Sequence, residues 1–156
     1  DLINVTSAEQ MHQQAMTQSK NADVFVACAA VADYRVAEIA EQKIKKTADN
    51  QHMQINLVKN PDIVADVAAQ TNKPFTVGFA AETQDVEQYA LDKLKRKNLD
   101  LIAANNVAIS GQGFNSDKNA LTVFSATNQQ EISLMSKSDV AKKLVAIIAE
   151  QLDEKR

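Results

Sequence analysis

Glycine is scarce in this chain, and its scarcity limits the ways in which a phosphate could be bound. The 156 residues include three glycines, Gly78, Gly111 and Gly113, whereas average usage is roughly 7%. The sequence contains neither the G-x-G-x-x-G of dinucleotide-binding sites nor the G-x-x-x-x-G-K-[ST] of P-loops. Both standard glycine-rich phosphate cradles are therefore absent from it.

Cysteine, long apolar runs and an excess of positive charge are also missing. The single cysteine, Cys28, cannot form an intrachain disulfide, and its place in an apolar run predicts a buried packing role. No apolar run is as long as a membrane span, and no signal peptide opens the chain. The net charge of −3 gives no reason to expect a nucleic acid partner. We therefore expect a cytoplasmic protein that binds neither membranes nor nucleic acid.

The apolar pattern alternates between strands and helices, and 45% hydrophobic with 24% charged residues is a globular composition. The predicted strands are 2–5, 23–29, 53–58, 75–80 and 99–104, followed by a hairpin of 120–126 and 131–135. The predicted helices are 6–20, 60–71, 85–97 and 138–153. Strand 23–29 is apolar throughout, as expected for a strand covered on both faces. This order predicts a single α/β domain over residues 1–156, with a mostly parallel sheet and a C-terminal antiparallel hairpin.

Capping residues predict where the helices begin. Thr6 and Glu9 have the spacing of a capping box, and Ser138-Asp139 is the predicted cap of the last helix. Asn60 is the predicted cap of the second helix, with Pro61 at its first position. Such a helix start can present N–H groups to an anion, although plain capping explains the same residues.

Polar residues follow several predicted strands, where open α/β sheets bind their ligands. The four stretches are 33–35 (DYR), 60–62 (NPD), 79–82 (FAAE) and 105–106 (NN). Asp33 could bind a ribose hydroxyl or Mg²⁺. It could equally form a salt bridge with Arg35 or cap the following segment.

Seven of the 17 basic residues form two clusters, Lys43/Lys45/Lys46 and Lys93/Lys95/Arg96/Lys97. In an acidic protein such clusters create local positive potential that suits a polyanion such as a triphosphate. Lys93 and Lys97 lie one helical turn apart, on the side of the apolar stripe. They could contact such a ligand or could lie along the edge of the core with their ammonium groups in water. His12 and His52 have no second residue at metal-ligand spacing, so we interpret both as incidental.

Six motifs, in order, resemble one enzyme family. They are 28–35 (CAAVADYR), 43–46 (KIKK), 59–64 (KNPDIV), 77–83 (VGFAAET), 96–102 (RKNLDLI) and 113–117 (GFNSD). Together they resemble phosphopantothenoylcysteine synthetase, the ligase of coenzyme A biosynthesis, and most closely the bacterial enzymes that use CTP. The resemblance implies a Rossmann-like three-layer fold with helices on both faces of the sheet.

The resemblance also implies a reaction and partners. The carboxylate of 4′-phosphopantothenate would attack the α-phosphate of CTP, with Mg²⁺, to give an acyl-cytidylate and pyrophosphate. The amine of L-cysteine would then displace CMP. In bacteria the ligase is usually fused to a flavin-dependent decarboxylase, and the family forms homodimers with sites near the subunit interface. For that interface we expect the loop and hairpin at 110–135.

Matching the motifs residue by residue assigns roles in this sequence. Lys43 is the candidate catalytic residue. The residues implied to contact the nucleotide are Ala27, Cys28, Ala29, Asp33, Lys43, Pro61, Asp62, Ile63, Val64, Phe79, Lys93 and Lys97. Among these, Lys43, Lys93 and Lys97 would meet the phosphates, and Phe79 would pack on the nucleotide. Lys45, Lys46, Lys95 and Arg96 are expected in solvent, and no metal ligand is assigned.

One departure from the family leaves other functions open. The family's Gly-rich strand–turn–helix, with a catalytic Asn-containing segment, does not precede Asp1, and the chain starts without Met as if inside a strand. We therefore expect a fragment whose activity alone is in doubt. The alternatives are an NADP-binding Rossmann-type reductase, against which the missing G-x-G-x-x-G counts, and a non-catalytic regulatory domain of the same fold.

Overall fold

The computed structural model describes residues 1–45, 52–109 and 116–155. Within them lie four α-helices: α1 (Ala8–Gln18), α2 (Ile63–Ala68), α3 (Val86–Arg96) and α4 (Lys137–Lys155). The strands are β1 (Val24–Ala27), β2 (Tyr34–Val36), β3 (Leu57–Lys59), β4 (Phe75–Glu82), β5 (Leu101–Asn106), β6 (Lys118–Phe124) and β7 (Gln129–Ser136).

Five strands form the main sheet, in the order β1-β4-β5-β6-β7. β1, β4 and β5 are parallel, while β6 pairs antiparallel with both β5 and β7. The carboxyl ends of β1 and β4 therefore lie at the same edge of the sheet, with Ala27 paired to Gly78. The predicted parallel sheet with a terminal antiparallel hairpin is confirmed.

Helices cover both faces of this sheet, as expected. On one face, α4 buries Val140, Leu144, Ile147 and Ile148 against β4, β5, β6 and β7, and Leu152 is partly buried there. On the other face, Ala68 of α2 and Ala90 and Leu94 of α3 pack with side chains of β4, β5 and β6. Helix α1 lies against α2, where His12 Nε2 is 2.7 Å from Asp66 Oδ2.

The helix caps differ from the predicted ones. Ser7, rather than Thr6, caps α1, because the Gln10 side chain reaches back to the N–H of Ser7 while Ser7 Oγ accepts from the N–H of Gln10. At α4, the N–H of Asp139 donates to Ser136 Oγ (3.2 Å), two residues before the predicted cap Ser138. At α2 the cap is Asp62 and not Asn60, because the Asn60 side chain bonds elsewhere.

Several strand predictions were also wrong. Residues 2–5 form no strand, and the predicted strand 53–58 is reduced to β3. β2 was not predicted at all; it forms a separate two-stranded ribbon with β3, in which Val36 pairs with Leu57. β1 is not covered on both faces, since Val26 is 42% exposed. Of the predicted loop around Gly111 and Gly113, residues 110–115 lie outside the described residues.

No helix in the described ranges is long and apolar enough to cross a membrane.

Candidate functional site

A cavity of about 700 Å³ opens at the carboxyl ends of β1 and β4. Every residue that the family resemblance assigns to the nucleotide site lines it, apart from Lys43. These residues are Ala27, Cys28, Ala29, Asp33, Pro61, Asp62, Ile63, Val64, Phe79, Lys93 and Lys97. Segments that are distant in the sequence therefore meet at the sheet edge where α/β folds bind ligands.

The wall that follows β1 is made of small side chains. Cys28 is exposed on this wall, so the predicted buried packing role is wrong; β1 ends at Ala27, and the chain leaves the sheet before Cys28 can enter the core. Across from Ala27, Gly78 contributes no side chain. A Cβ added to Gly78 would lie 2.7 Å from Leu99 Cδ1, so the glycine permits close packing beside the cavity.

A second wall is the segment 60–64 that leads into α2. The Asp62 carboxylate accepts a hydrogen bond from the N–H of Ala65 (3.3 Å) and lies 2.9 Å from Lys97 Nζ. Burial opposes ionisation of Asp62, but the hydrogen bonds from Lys97 and Ala65 and the charges of Lys97 and Lys59 outweigh it and hold its pKa below the usual value. Asp62 is therefore a carboxylate that fixes the position of a cavity lysine.

Lys93 of α3 and Lys97, which directly follows α3, are both held by carboxylates. Lys93 Nζ lies 3.5 Å from Glu82 Oε1 at the end of β4, and the side chains of Lys93 and Lys97 are 29% and 19% exposed. Their ammonium groups are therefore ion-paired and line the cavity, instead of extending freely into water. This arrangement places two cations on the cavity wall, and cations of this kind form strong hydrogen bonds with phosphate groups.

The remaining predicted cations do not join this site. Lys43 and Lys45 are exposed and do not line the cavity, and Lys46 lies outside the described residues. Lys95 and Arg96 line a different depression of about 790 Å³ on the outer side of α3. That depression is larger, but it is more open to solvent and is formed mainly by exposed side chains of one helix. We therefore regard the cavity at the strand ends as the candidate site.

Asp33 does not form the ion pair with Arg35 that the sequence also allowed. Arg35 Nη2 lies 2.7 Å from Glu9 Oε1 of α1 instead. Asp33 is exposed on the cavity wall, so its carboxylate is accessible to a ligand.

Lys59, Asn60 and Glu82 also contact the site or its lysines, although none of them was among the residues assigned to the nucleotide. All three belong to quoted motifs, since Lys59 and Asn60 directly precede Pro61 and Glu82 follows Phe79-Ala80-Ala81. Polar residues beside the assigned positions were therefore the available signal.

Among the described residues, no group of three or more His, Cys, Asp or Glu side chains is placed so that it could hold a metal ion. Mg²⁺ is typically held by one or two carboxylates together with substrate phosphates. The cavity fits that mode, with Asp33 as the available carboxylate, better than it fits a site made of protein ligands alone.

Known proteins resemble this chain over nearly its whole length. Residues 1–152 match the family described as DNA/pantothenate metabolism flavoprotein C-terminal domain. The chain belongs to this family. The chain is also similar to the coenzyme A biosynthesis bifunctional protein CoaBC of Vibrio cholerae, with 57% identity over 151 residues. The aligned region covers 96% of this chain and 38% of that protein. The protein of the same name from Escherichia coli is 46% identical over 155 residues, 98% of this chain and 38% of its own length.

A solved structure of a family member extends the similarity to the fold. The crystal structure of the C-terminal domain of a coenzyme A biosynthesis bifunctional protein CoaBC superposes with a TM-score of 0.77 at 29% identity, over 97% of this chain and 66% of that one. The Rossmann-like fold is therefore confirmed. The chain spans less than two fifths of the curated relatives described above.

Proposed function

We propose that this chain is the nucleotide-binding part of a phosphopantothenate–cysteine ligase that uses CTP and acts in coenzyme A biosynthesis. The observation that carries the proposal is the convergence of the assigned residues on one cavity, with Lys93 and Lys97 beside it. The similarity to CoaBC proteins supports the pathway, and the cavity supports a nucleotide as the ligand. An NADP-binding reductase is less well supported, because the sequence lacks G-x-G-x-x-G.

The proposed chemistry has two steps, and both need charge neutralisation. A carboxylate oxygen of 4′-phosphopantothenate forms a bond to the α-phosphorus of CTP as the bond to pyrophosphate breaks. The amine of L-cysteine then forms a bond to the acyl carbon, CMP leaves, and the amine loses a proton. Bringing a carboxylate to a triphosphate is opposed by repulsion between anions, so the cations Lys93 and Lys97 lower the barrier by offsetting that charge.

Each wall of the cavity has a part in this proposal. The small residues Ala27, Cys28 and Ala29 let the nucleotide approach the backbone, and Phe79 packs on it. Asp33 binds a ribose hydroxyl or a Mg²⁺ ion carried by the phosphates. Mg²⁺ would supply additional positive charge at the phosphates.

Lys43 stays our candidate for the catalytic cation, although it is exposed outside the cavity. We propose that Lys43 contacts the reacting groups once substrates are bound, since apo arrangements often tighten only in the complex with substrate. The matched control is Lys45, two residues away and also exposed. In the full-length protein, Lys43→Ala should abolish cysteine-dependent CMP release without unfolding the protein, and Lys45→Ala should retain it. Full activity of Lys43→Ala would remove Lys43 from the mechanism.

Ligand binding tests the function itself. The affinities of the full-length protein for CTP, ATP and NADPH, each with and without Mg²⁺, should rank CTP with Mg²⁺ first. A preference for NADPH would contradict the ligase, and binding without turnover in the presence of both other substrates would favour a regulatory domain.

We further infer that residues 1–156 are one domain of a homodimeric protein fused to a flavin-dependent decarboxylase. One sheet with helices on both faces supports the single domain. The bifunctional name of the relatives, of which this chain spans 38%, supports the fusion. The interface at 110–135 and the cytoplasmic location stay predictions.

A further inference from the structure

Asn60 is a buried polar residue, 8% exposed, at the border of the cavity. Its Nδ2 donates to the carbonyl oxygen of Ala32 (2.8 Å), and its backbone N–H donates to the carbonyl oxygen of Asp33 (2.8 Å). Its Oδ1 accepts from Arg35 Nη1 at 3.3 Å. Because both polar atoms of the side chain bond to protein, Asn60 faces the fold and not the ligand.

These bonds join the two walls of the cavity. Ala32 and Asp33 belong to the wall that follows β1, while Asn60 directly precedes Pro61 and Asp62 of the second wall. Asp62 in turn holds Lys97. The separation between Asp33 and Lys97 therefore depends on the bonds that Asn60 makes.

Arg35 holds Asn60 from the other side. Its Nη1 also donates to the carbonyl oxygen of Lys59 (3.0 Å), and its Nη2 pairs with Glu9 at the start of α1 (2.7 Å). A guanidinium can make these bonds in several directions at once because its N–H groups form a rigid planar fork. Arg35 thus connects α1 and β3 to the side chain of Asn60.

We propose that Asn60 is a positioning residue of the nucleotide site and that Arg35 acts through it. Asn60 keeps Asp33 and the small-residue wall at the distance from Asp62 and Lys97 that the bound nucleotide requires. The inference rests on the proposed function, namely that this cavity binds CTP. No contact between Asn60 and the ligand is part of it.

The test compares CTP affinity with folding stability in the full-length protein. Asn60→Ala should raise the Kd for CTP with Mg²⁺ about ten-fold. A change of this size corresponds to the net contribution of roughly one strong hydrogen bond. The KM for CTP should rise to a similar extent, while kcat at saturating CTP is largely retained. The control is Ser136→Ala, which removes the cap of α4 and does not line the cavity; it should lower stability to urea but leave both constants unchanged.

A double-mutant comparison tests the part assigned to Arg35. Arg35→Ala should weaken CTP binding. The double variant, with Arg35→Ala and Asn60→Ala together, should bind CTP no more weakly than Asn60→Ala alone. Arg35→Lys, which keeps the charge near Glu9 but loses the fork, should bind CTP with intermediate affinity. Additive effects of Arg35→Ala and Asn60→Ala, or wild-type affinity of Arg35→Lys, would overturn the role of Arg35.

The other outcomes separate this inference from the proposed function. A wild-type protein that binds no CTP contradicts the proposed function. A wild-type protein that binds CTP, with an Asn60→Ala variant of equal affinity, overturns the positioning role. Equal weakening by Ser136→Ala also overturns it, because the effect would then follow from lost stability. If Asn60→Ala does not fold, Asn60→Asp keeps the shape but sets a carboxylate against the carbonyl of Ala32; wild-type affinity in Asn60→Asp would overturn the role as well.

Discussion

The structure decides between the two roles that the sequence left open for Lys97. The pattern allowed two roles, and its 2.9 Å contact with Asp62 places its ammonium group at the cavity. Asp62 holds the lysine but also neutralises part of its charge. A triphosphate would therefore compete with Asp62 for Lys97, so the net gain from this lysine is smaller than that of an unpaired cation.

Removing Lys97 should weaken nucleotide binding selectively. We expect Lys97→Ala to raise the Kd for CTP by about ten-fold, typical for loss of one charge-assisted contact, and to reduce the dependence of that Kd on salt. The matched control is Lys95→Ala, two residues away on the exposed side of α3. Isothermal titration at two salt concentrations measures both. Equal effects of the two substitutions would show that overall charge, and not the position of Lys97, governs binding.

Helix α4 is attached to the sheet at the other end from the cavity, through Asp100. This carboxylate lies 2.5 Å from Lys155 Nζ of α4 and 3.1 Å from Lys73 Nζ, and it accepts from the N–H of Thr76 (2.8 Å). Burial opposes its ionisation, but the bonds from Lys155, Thr76 and Lys73 outweigh burial and hold the pKa of Asp100 below its usual value. Lys155 also lies over the ring of Phe75, 5.7 Å from its centroid.

Acid should weaken this attachment. Because the pKa of Asp100 is lower in the folded than in the unfolded state, the unfolded state takes up its proton first as the pH falls. The stability from Asp100 is fully present above the unfolded pKa of about 3.9 and is lost as the pH falls through the lower folded value. Asp100→Asn should lower the free energy of unfolding by about 2 kcal/mol at pH 7. Between neutral pH and about pH 3, the variant should then lose less stability than the wild-type protein does. Urea unfolding at several pH values measures this, and parallel pH profiles for the two proteins would contradict it.

The long helices could be predicted from the sequence because their buried residues are apolar and recur at helical spacing. Helices α3 and α4 appear within two residues of the predicted bounds, and their apolar side chains at helical spacing pack into the core. The β2–β3 ribbon could not be read in this way. Its strands have three residues each, which is too short for a pattern to be recognised in the sequence, and β3 is exposed at every position.

The candidate site was predictable in part, for a related reason. Parallel topology brings strand ends together whatever their spacing in the sequence, so motif residues after β1 and β4 had to meet. The role of Asn60 was not predictable, because Asn and Asp are both good caps and only the contact with Ala32 excludes Asn60 from capping. The position of Lys43 was not predictable either, since no regular element of the described structure contains it.

At the scale of the whole molecule, apolar side chains are exposed together on the β2–β3 ribbon. Tyr34, Val36 and Leu57 lie on one face of it, because Val36 pairs with Leu57 and Tyr34 is two residues from Val36. All three are exposed, Tyr34 and Leu57 by more than half. An apolar ribbon face of this kind is typical of a surface covered in an assembly. It is therefore a second candidate for the interface of the proposed homodimer, beside the predicted 110–135 segment.

Two substitutions distinguish these interfaces. If the ribbon is covered in the proposed homodimer, Leu57→Ser should raise the dimer dissociation constant by at least about ten-fold, since burying a leucine contributes roughly 1.5–3 kcal/mol in each copy. Leu134→Ser on β7 is the matched control, because Leu134 is exposed to a similar extent within the predicted hairpin segment. Sedimentation equilibrium of the full-length protein measures both constants, with far-UV circular dichroism to verify the fold. Dissociation caused by Leu134→Ser and not by Leu57→Ser would place the interface at the hairpin, and a monomeric wild-type protein would contradict the homodimer itself.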